Sequence, residues 1–450
     1  MQIGLGGLLK QLYRRSAEPF SAGGLMRALA GPSVGRILGT AVNFVLAVIL
    51  SRTLDKSEVG MFYFSVTIVF GLSIIARMGL GDISLITFGG IRDSRRQSAI
   101  GPTLLLFCCY ILVATFFIVF IFITLMHGDE AAKEEVVSRV SPLLIVAGLP
   151  SIALLQISGA ALRGVGRPTL SSYTEFSAAP IFTLVVALSQ KLVMGAATFD
   201  FAVAAYLVGS LLSGLLNLAV FFSIYPARRP LRVFLSKKYR LRGITFFSIE
   251  ISSYIAGWSS FLLMPIFLGM NSLAIYNSVV RLSSLSSIIF SGIATVALPV
   301  LAKYQYQGNT GAFIKTINEL QVLMLIFGSG LFLLFLIFGR NLLALFGSDF
   351  ISAYPALLIL GLSVFANLAL GPASLILSVL KYEKIVLFVT VLSALASIVF
   401  TSALTPMYGI NGAAAATLLA TVLQKGVLAM SARKALERER VRHANQIERT

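Results

Sequence analysis

Residues 101–126 read Gly-Pro-Thr-Leu-Leu-Leu-Phe-Cys-Cys-Tyr-Ile-Leu-Val-Ala-Thr-Phe-Phe-Ile-Val-Phe-Ile-Phe-Ile-Thr-Leu-Met, without one charged side chain. A helix rising 1.5 Å per residue crosses about 30 Å of bilayer hydrocarbon in roughly 20 residues, so this stretch is long enough to span a membrane. Comparable apolar runs recur near 34–51, 60–81, 140–161, 170–190, 200–225, 244–267, 272–300, 317–338, 354–379, 384–404 and 410–430. The alternating segments of about ten residues that mark a membrane barrel are absent, and helices satisfy their own backbone polar groups in lipid. The expectation is an all-α polytopic membrane protein with about 12 transmembrane helices.

Composition agrees with that reading. The 450 residues are 57% hydrophobic and only 12% charged, too few charges to cover the surfaces of several soluble cores, which excludes a water-soluble enzyme. The net charge of +18 belongs to topology rather than to nucleic acid, because the basic residues alternate between loops. Of 36 Lys and Arg, 27 fall before the first span, in every second connection and in the tail, while six fall on the other side. Positive residues stay inside, so both termini are expected in the cytoplasm. The segment 1–33 is broken by Lys10, Arg14, Arg15 and Glu18 and reads as an interfacial amphipathic stretch rather than a cleavable signal.

The basic connector 226–243 divides the spans into two sets, 34–225 and 244–430, followed by a charged tail, 431–450. Ser141–Leu149 matches Tyr354–Leu362 at an offset of 213, and Leu54–Gly60 matches Leu268–Ala274 at an offset of 214. Similar offsets at two places point to duplication of a six-span unit. Repeats with an even number of spans share their orientation, as in transporters that rock two lobes about a central site.

Little in the chain speaks for bond-making chemistry. Cys108 and Cys109 are adjacent on a helical run and suit small buried hydrophobes better than a disulfide, and with His127 and His443 as the only histidines no metal or haem site is expected. No phosphate-binding G-x-x-x-x-G-K-[ST] motif occurs, and no cofactor or catalytic residue is expected.

Four segments carry a family resemblance: Leu50–Phe62, Ala161–Pro168, Ala274–Arg281 and Pro406–Ala414. In order and at the right spans, they resemble the bacterial polysaccharide and O-antigen flippase family of the multidrug/oligosaccharidyl-lipid/polysaccharide exporter superfamily. The chain departs at Asp55, where that family usually carries glycine. The resemblance implies two six-helix lobes around a central cleft lined by spans one, two, seven and eight. It also implies a flippase in the bacterial inner membrane that moves a lipid-linked oligosaccharide of the undecaprenyl-pyrophosphate type for surface polysaccharide or lipopolysaccharide assembly. Its partners would be that substrate, membrane lipids, a polysaccharide polymerase and glycosyltransferases.

Ionisable residues inside spans are costly and usually face a cavity or a partner. Arg36, Arg77, Glu250 and Arg281 all fall on the four cleft-lining spans, and Asn43 lies two turns beyond Arg36. Arg77 and Lys425 also fit snorkelling to the interface, and Glu175 and Glu250 also fit pairing with cations of nearby loops. The expected substrate-binding set is Arg36, Asn43, Arg77 and Arg281, with Glu250 as the coupling group. The competing reading, a cation-coupled multidrug extruder, requires a membrane carboxylate. Span one has none, and Glu250 is what keeps that reading open.

Overall fold

The computed structural model describes residues 32–90, 99–128, 141–194, 198–226, 237–307, 309–380 and 382–447, and every regular element among them is helical. The proposed interfacial stretch at 1–33 lies almost wholly outside the described residues, as do most of the 226–243 connector and the last three residues of the tail. The first half comprises α1 (Pro32–Thr53), α2 (Lys56–Arg77), a short α3 (Leu80–Gly90), α4 (Ile100–Gly128), α5 (Leu144–Gly164), α6 (Pro168–Val193) and α7 (Phe199–Ile224). The second comprises α8 (Lys237–Ser283), α9 (Leu285–Tyr306), α10 (Thr310–Ala344), α11 (Tyr354–Ala369), α12 (Pro372–Val379) and α13 (Glu383–Ile447).

Ten segments are long and apolar enough to cross a bilayer, and two of them, Gly243–Phe290 and Lys384–Arg438, run to 48 and 55 residues, enough for two crossings each. Each folds back at one glycine. Gly269 (φ 77°, ψ 177°) divides α8, and Gly409 (φ 60°, ψ −139°) divides α13. These conformations are open to glycine and strained for residues with a Cβ, so a single residue reverses the chain where a loop was expected. The two hairpins bring the crossings to twelve.

Several spans are less regular than their sequence suggests. The second ends at Arg77 rather than near 81, because Met78 (φ 44°) and Gly79 (φ 75°) turn the chain left-handed before α3 begins. The tenth is interrupted at Leu370–Gly371, just before Pro372, which has no N–H to continue the ladder. Asp55, the departure from the family pattern, sits at the start of α2, where Glu58 accepts a hydrogen bond from its backbone N–H at 3.1 Å. An acidic residue at a helix entry supports it electrostatically, so the substitution suits its position.

One buried cluster joins the halves, with Leu46, Leu50 and Phe62 of the first packed in common with Met264, Leu273 and Phe346 of the second. A separate cluster, including Leu104, Ile157 and Phe221, stays within the first half. Outward-facing side chains such as Phe116 (66% exposed) and Ile337 (67%) are large and apolar, as a lipid-facing surface requires. On the face poor in basic residues, Arg52 donates to the carbonyls of Leu345 (2.5 Å) and Ala344 (3.0 Å), and Lys56 pairs with Asp349. Phe44 meets Phe346 edge-on there at 5.5 Å. Toward the basic face, α2 and α8 are joined by Tyr254, which donates to the carbonyl of Thr67 at 2.6 Å, and by an ion pair between Arg77 and Glu250 at 2.7 Å.

Candidate functional site

Between the halves lies a cavity of about 220 Å³ whose lining includes Asn43 of α1, Tyr63 and Thr67 of α2, Tyr206 of α7, and Trp258 and Arg281 of α8. Arg281 is its cation. The guanidinium stands over the Tyr63 ring at 4.6 Å from the centroid, and Nε donates to Asn277 Oδ1 at a long 3.3 Å. No carboxylate is among the lining residues. The Tyr63 hydroxyl is buried without a hydrogen-bond partner, a group that an incoming polar ligand can satisfy. Asn43 faces the same space and turns its amide N–H₂ to the carbonyl of Gly39 at 2.9 Å, which leaves its carbonyl oxygen for other use.

Local sequence explains these positions. Gly71 lets the Tyr254 ring pass α2, since a Cβ there would come within 2.7 Å of it. Tyr254 stacks on Phe70 (6.2 Å) and Phe62 meets Tyr206 edge-on (5.8 Å), so aromatic contacts hold the cavity walls. Ser283 and Ser284, which follow Arg281, return their hydroxyl protons to backbone carbonyls at 2.9 and 2.6 Å. That bonding satisfies the hydroxyls inside the membrane at the junction where α8 ends at Ser283 and α9 begins at Leu285.

The cavity gathers Asn43 and Arg281 from the expected set, but not Arg36, Arg77 or Glu250. Arg77 is 5% exposed and is held by Glu250 where α2 ends. Arg36 turns to α6 and lies over the Phe176 ring at 5.2 Å, with its Nε buried and unpartnered. It is drawn there because α1 packs tightly on α6: a Cβ on Gly39 would come within 2.5 Å of the Phe176 carbonyl oxygen. Glu175, in a π turn of α6 at Thr174–Ala178, pairs with Arg163 at the end of α5, the local pairing that its position suggested. Lys425 lies over Phe290, 5.7 Å from the ring centroid.

Sequence reasoning missed the aromatic lining, namely Tyr63, Tyr206, Tyr254 and Trp258. A signal was available. Tyr and Trp gather at membrane interfaces, so those well inside a span need a polar partner or a cavity for their N–H and O–H groups.

A model of the polysaccharide biosynthesis protein family matches residues 32–305. No curated protein matches the sequence. Among solved structures, an inward-facing conformation of a multidrug resistance MATE family transporter of the MOP superfamily superposes with a TM-score of 0.70 at 15% identity, covering 91% of this chain and 99% of that one. A MOP superfamily transporter from Pyrococcus furiosus, described as having a binding pocket of reverse polarity that suggests a different function, gives 0.63 at 15% identity over 94% of this chain and all of that one. An outward-facing conformation of a MATE family transporter of the MOP superfamily gives 0.59 at 16% identity, again over 94% of this chain. At such identities the structural likeness speaks for the fold, and the sequence family for kinship. With the family match running over more than half its length, the chain belongs to the polysaccharide biosynthesis protein family, and the fold it shares over nearly all of its length with the transporters above is that of a multi-pass membrane protein.

Proposed function

We propose that the protein moves a lipid-linked oligosaccharide, carried on an undecaprenyl-pyrophosphate-type lipid, from the cytoplasmic to the periplasmic leaflet of the bacterial inner membrane. The carrying observation is Arg281, a guanidinium facing a cavity between the halves whose lining includes no carboxylate. Such a group attracts a phosphate by charge-assisted, bidentate hydrogen bonds and repels an organic cation. A cation extruder calls for the opposite arrangement, and Glu250 is engaged by Arg77 outside the cavity lining.

In this reading the basic face is cytoplasmic and holds both termini. Arg77 and Glu250 form a guard on that side. An arriving pyrophosphate competes for Arg77, releases Glu250 to take up a proton or another cation, and passes to Arg281. Arg36, whose Nε lacks a partner, adds positive charge near the entrance. In this reading the bonds of Arg52 and Lys56 across the opposite face close the described state toward the periplasm, while the Arg77–Glu250 guard joins α2 to α8 on the cytoplasmic side. A substrate drives rocking only by binding the two states unequally, and cations at different depths supply that difference. Glycosyltransferases that build the lipid-linked unit act before this step, and a polymerase that joins the units acts after it.

Deleting the protein should strand lipid-linked repeat units on the cytoplasmic leaflet and deplete surface polysaccharide. Arg281→Ala should do the same at normal protein level, and Arg281→Lys should retain part of the transport, because lysine keeps the charge and loses the fork. Full surface polysaccharide in the Arg281→Ala strain would overturn the proposal, and sensitivity to cationic drugs on deletion would favour the multidrug alternative.

A further inference from the structure

A second cavity, of about 200 Å³, lies within the second half, where α8, α11 and α13 meet. Its lining is rich in hydroxyls: Ser260, Tyr276, Ser283, Ser284, Ser363 and Thr417, with no charged side chain among the lining residues. Trp258, the only tryptophan of the chain, lines both this space and the Arg281 cavity, so the two adjoin.

The hydrogen bonding of the wall narrows what can sit there. Ser283 and Ser284 donate to the carbonyls of Val279 and Arg281, and Ser363 donates to Thr421 at 3.0 Å. Ser260 bonds Thr401 at 3.1 Å, Thr417 at 3.0 Å and the carbonyl of Ala413 at 3.1 Å, and Thr417 also bonds Tyr276 at 3.2 Å and the same carbonyl at 3.0 Å, so the Ser260 and Thr417 hydroxyls are satisfied within the protein. A hydroxyl has one proton and two lone pairs, so Ser283, Ser284 and Ser363, whose protons go into the protein, present acceptors to the cavity. The complementary guest is an uncharged molecule with many donors. An acyl chain would leave these oxygens without new partners, and an ionised group would be desolvated without a counter-charge. The volume falls below the range of drug-sized sites, about 300–1,000 Å³, and suits one ring. An indole at the wall matches the C–H face of a sugar, whose hydroxyls then point toward the serines.

We propose that this cavity is a subsite for one neutral pyranose ring of the transported glycan, beside the Arg281 cavity that receives its phosphate. The inference rests on the flippase reading and adds a substrate determinant: the ring near the phosphate is uncharged and is read by Trp258 and the serines of α8.

Trp258 is its own reporter. Purified full-length protein in phosphatidylethanolamine/phosphatidylglycerol nanodiscs is titrated with methyl glycosides of neutral hexoses and N-acetylhexosamines, and with a methyl glucuronoside, while tryptophan emission is followed. At least one neutral glycoside should give a saturable change and the glucuronoside none. The double variant Ser283→Ala/Ser284→Ala should weaken that response at least tenfold with an unchanged thermal midpoint, and Ser363→Ala should weaken it by a smaller factor. Binding of radiolabelled undecaprenyl pyrophosphate should persist in these variants and be lost in Arg281→Ala. A flat response to every neutral glycoside up to its solubility limit, or a response unaltered by the serine replacements, would overturn the subsite. If lipid pyrophosphate binding still depends on Arg281 in that case, the flippase reading survives. If Arg281→Ala transports normally, the flippase reading fails whatever the glycosides do.

Discussion

Arg77 and Arg281 are both cations inside spans, and they differ by what faces them. Arg77 is buried against a carboxylate, whereas Arg281 has an aromatic ring, a distant amide and open space. Removing one member of a buried ion pair leaves the other charge uncompensated, at a cost of about 3 kcal/mol or more. Glu250→Gln should therefore lower the thermal midpoint in detergent clearly more than Arg281→Ala does, and the exchange Arg77→Glu/Glu250→Arg should recover part of the loss. An Arg281→Ala midpoint lower than that of Glu250→Gln would place the structural ion pair at the wrong arginine. The sequence told which residues were out of place in an apolar span, and so Asn43 and Arg281 were legible. It did not tell which way each side chain points, because depth follows from counting residues while rotation about the helix axis follows from packing. Gly35 and Gly39 seat α1 on α6 and so take Arg36 from the cavity, an effect visible only when both helices are in place.

At the scale of elements, the apolar runs sufficed to count the crossings, since hydrocarbon thickness sets their length. The breaks within them were hidden. Glycine is common in membrane helices, and nothing local separates Gly79 or Gly269, which turn the chain, from Gly330, which continues a helix. Gly269 has open space around its missing Cβ, so replacing it tests the backbone alone. Gly269→Ala is expected to cost about 1–3 kcal/mol through its positive φ, seen as a lower unfolding midpoint. Gly330→Ala, also in open space but inside α10, should leave the midpoint unchanged or raise it. Equal effects of the two would remove the special role assigned to the Gly269 turn.

For the whole molecule, the orientation proposed from the basic residues can be read by labelling. Cysteines at Asn271 and Ser348, both exposed, should react with an impermeant reagent from the periplasm, and one at Gln307, exposed on the basic face, should not. Reversed labelling would invert the transport direction. The closed face offers a second test. Both contacts are solvent-exposed, but Arg52 makes two hydrogen bonds to the carbonyl end of α10, where a cation meets the negative end of the helix dipole, and Lys56 makes a lone ion pair with Asp349. A lone exposed ion pair contributes little, because water and salt screen it. Arg52→Ala should thus raise periplasmic labelling of a cysteine at position 43 more than Lys56→Ala does, and the opposite ranking would locate the closure in the ion pair. The glycine turns also bear on how the protein is made. With one residue between its arms, α8 offers the insertion machinery no stretch in which a first helix can settle before the second has emerged. Its two arms are therefore expected to enter the bilayer as one hairpin, as are those of α13.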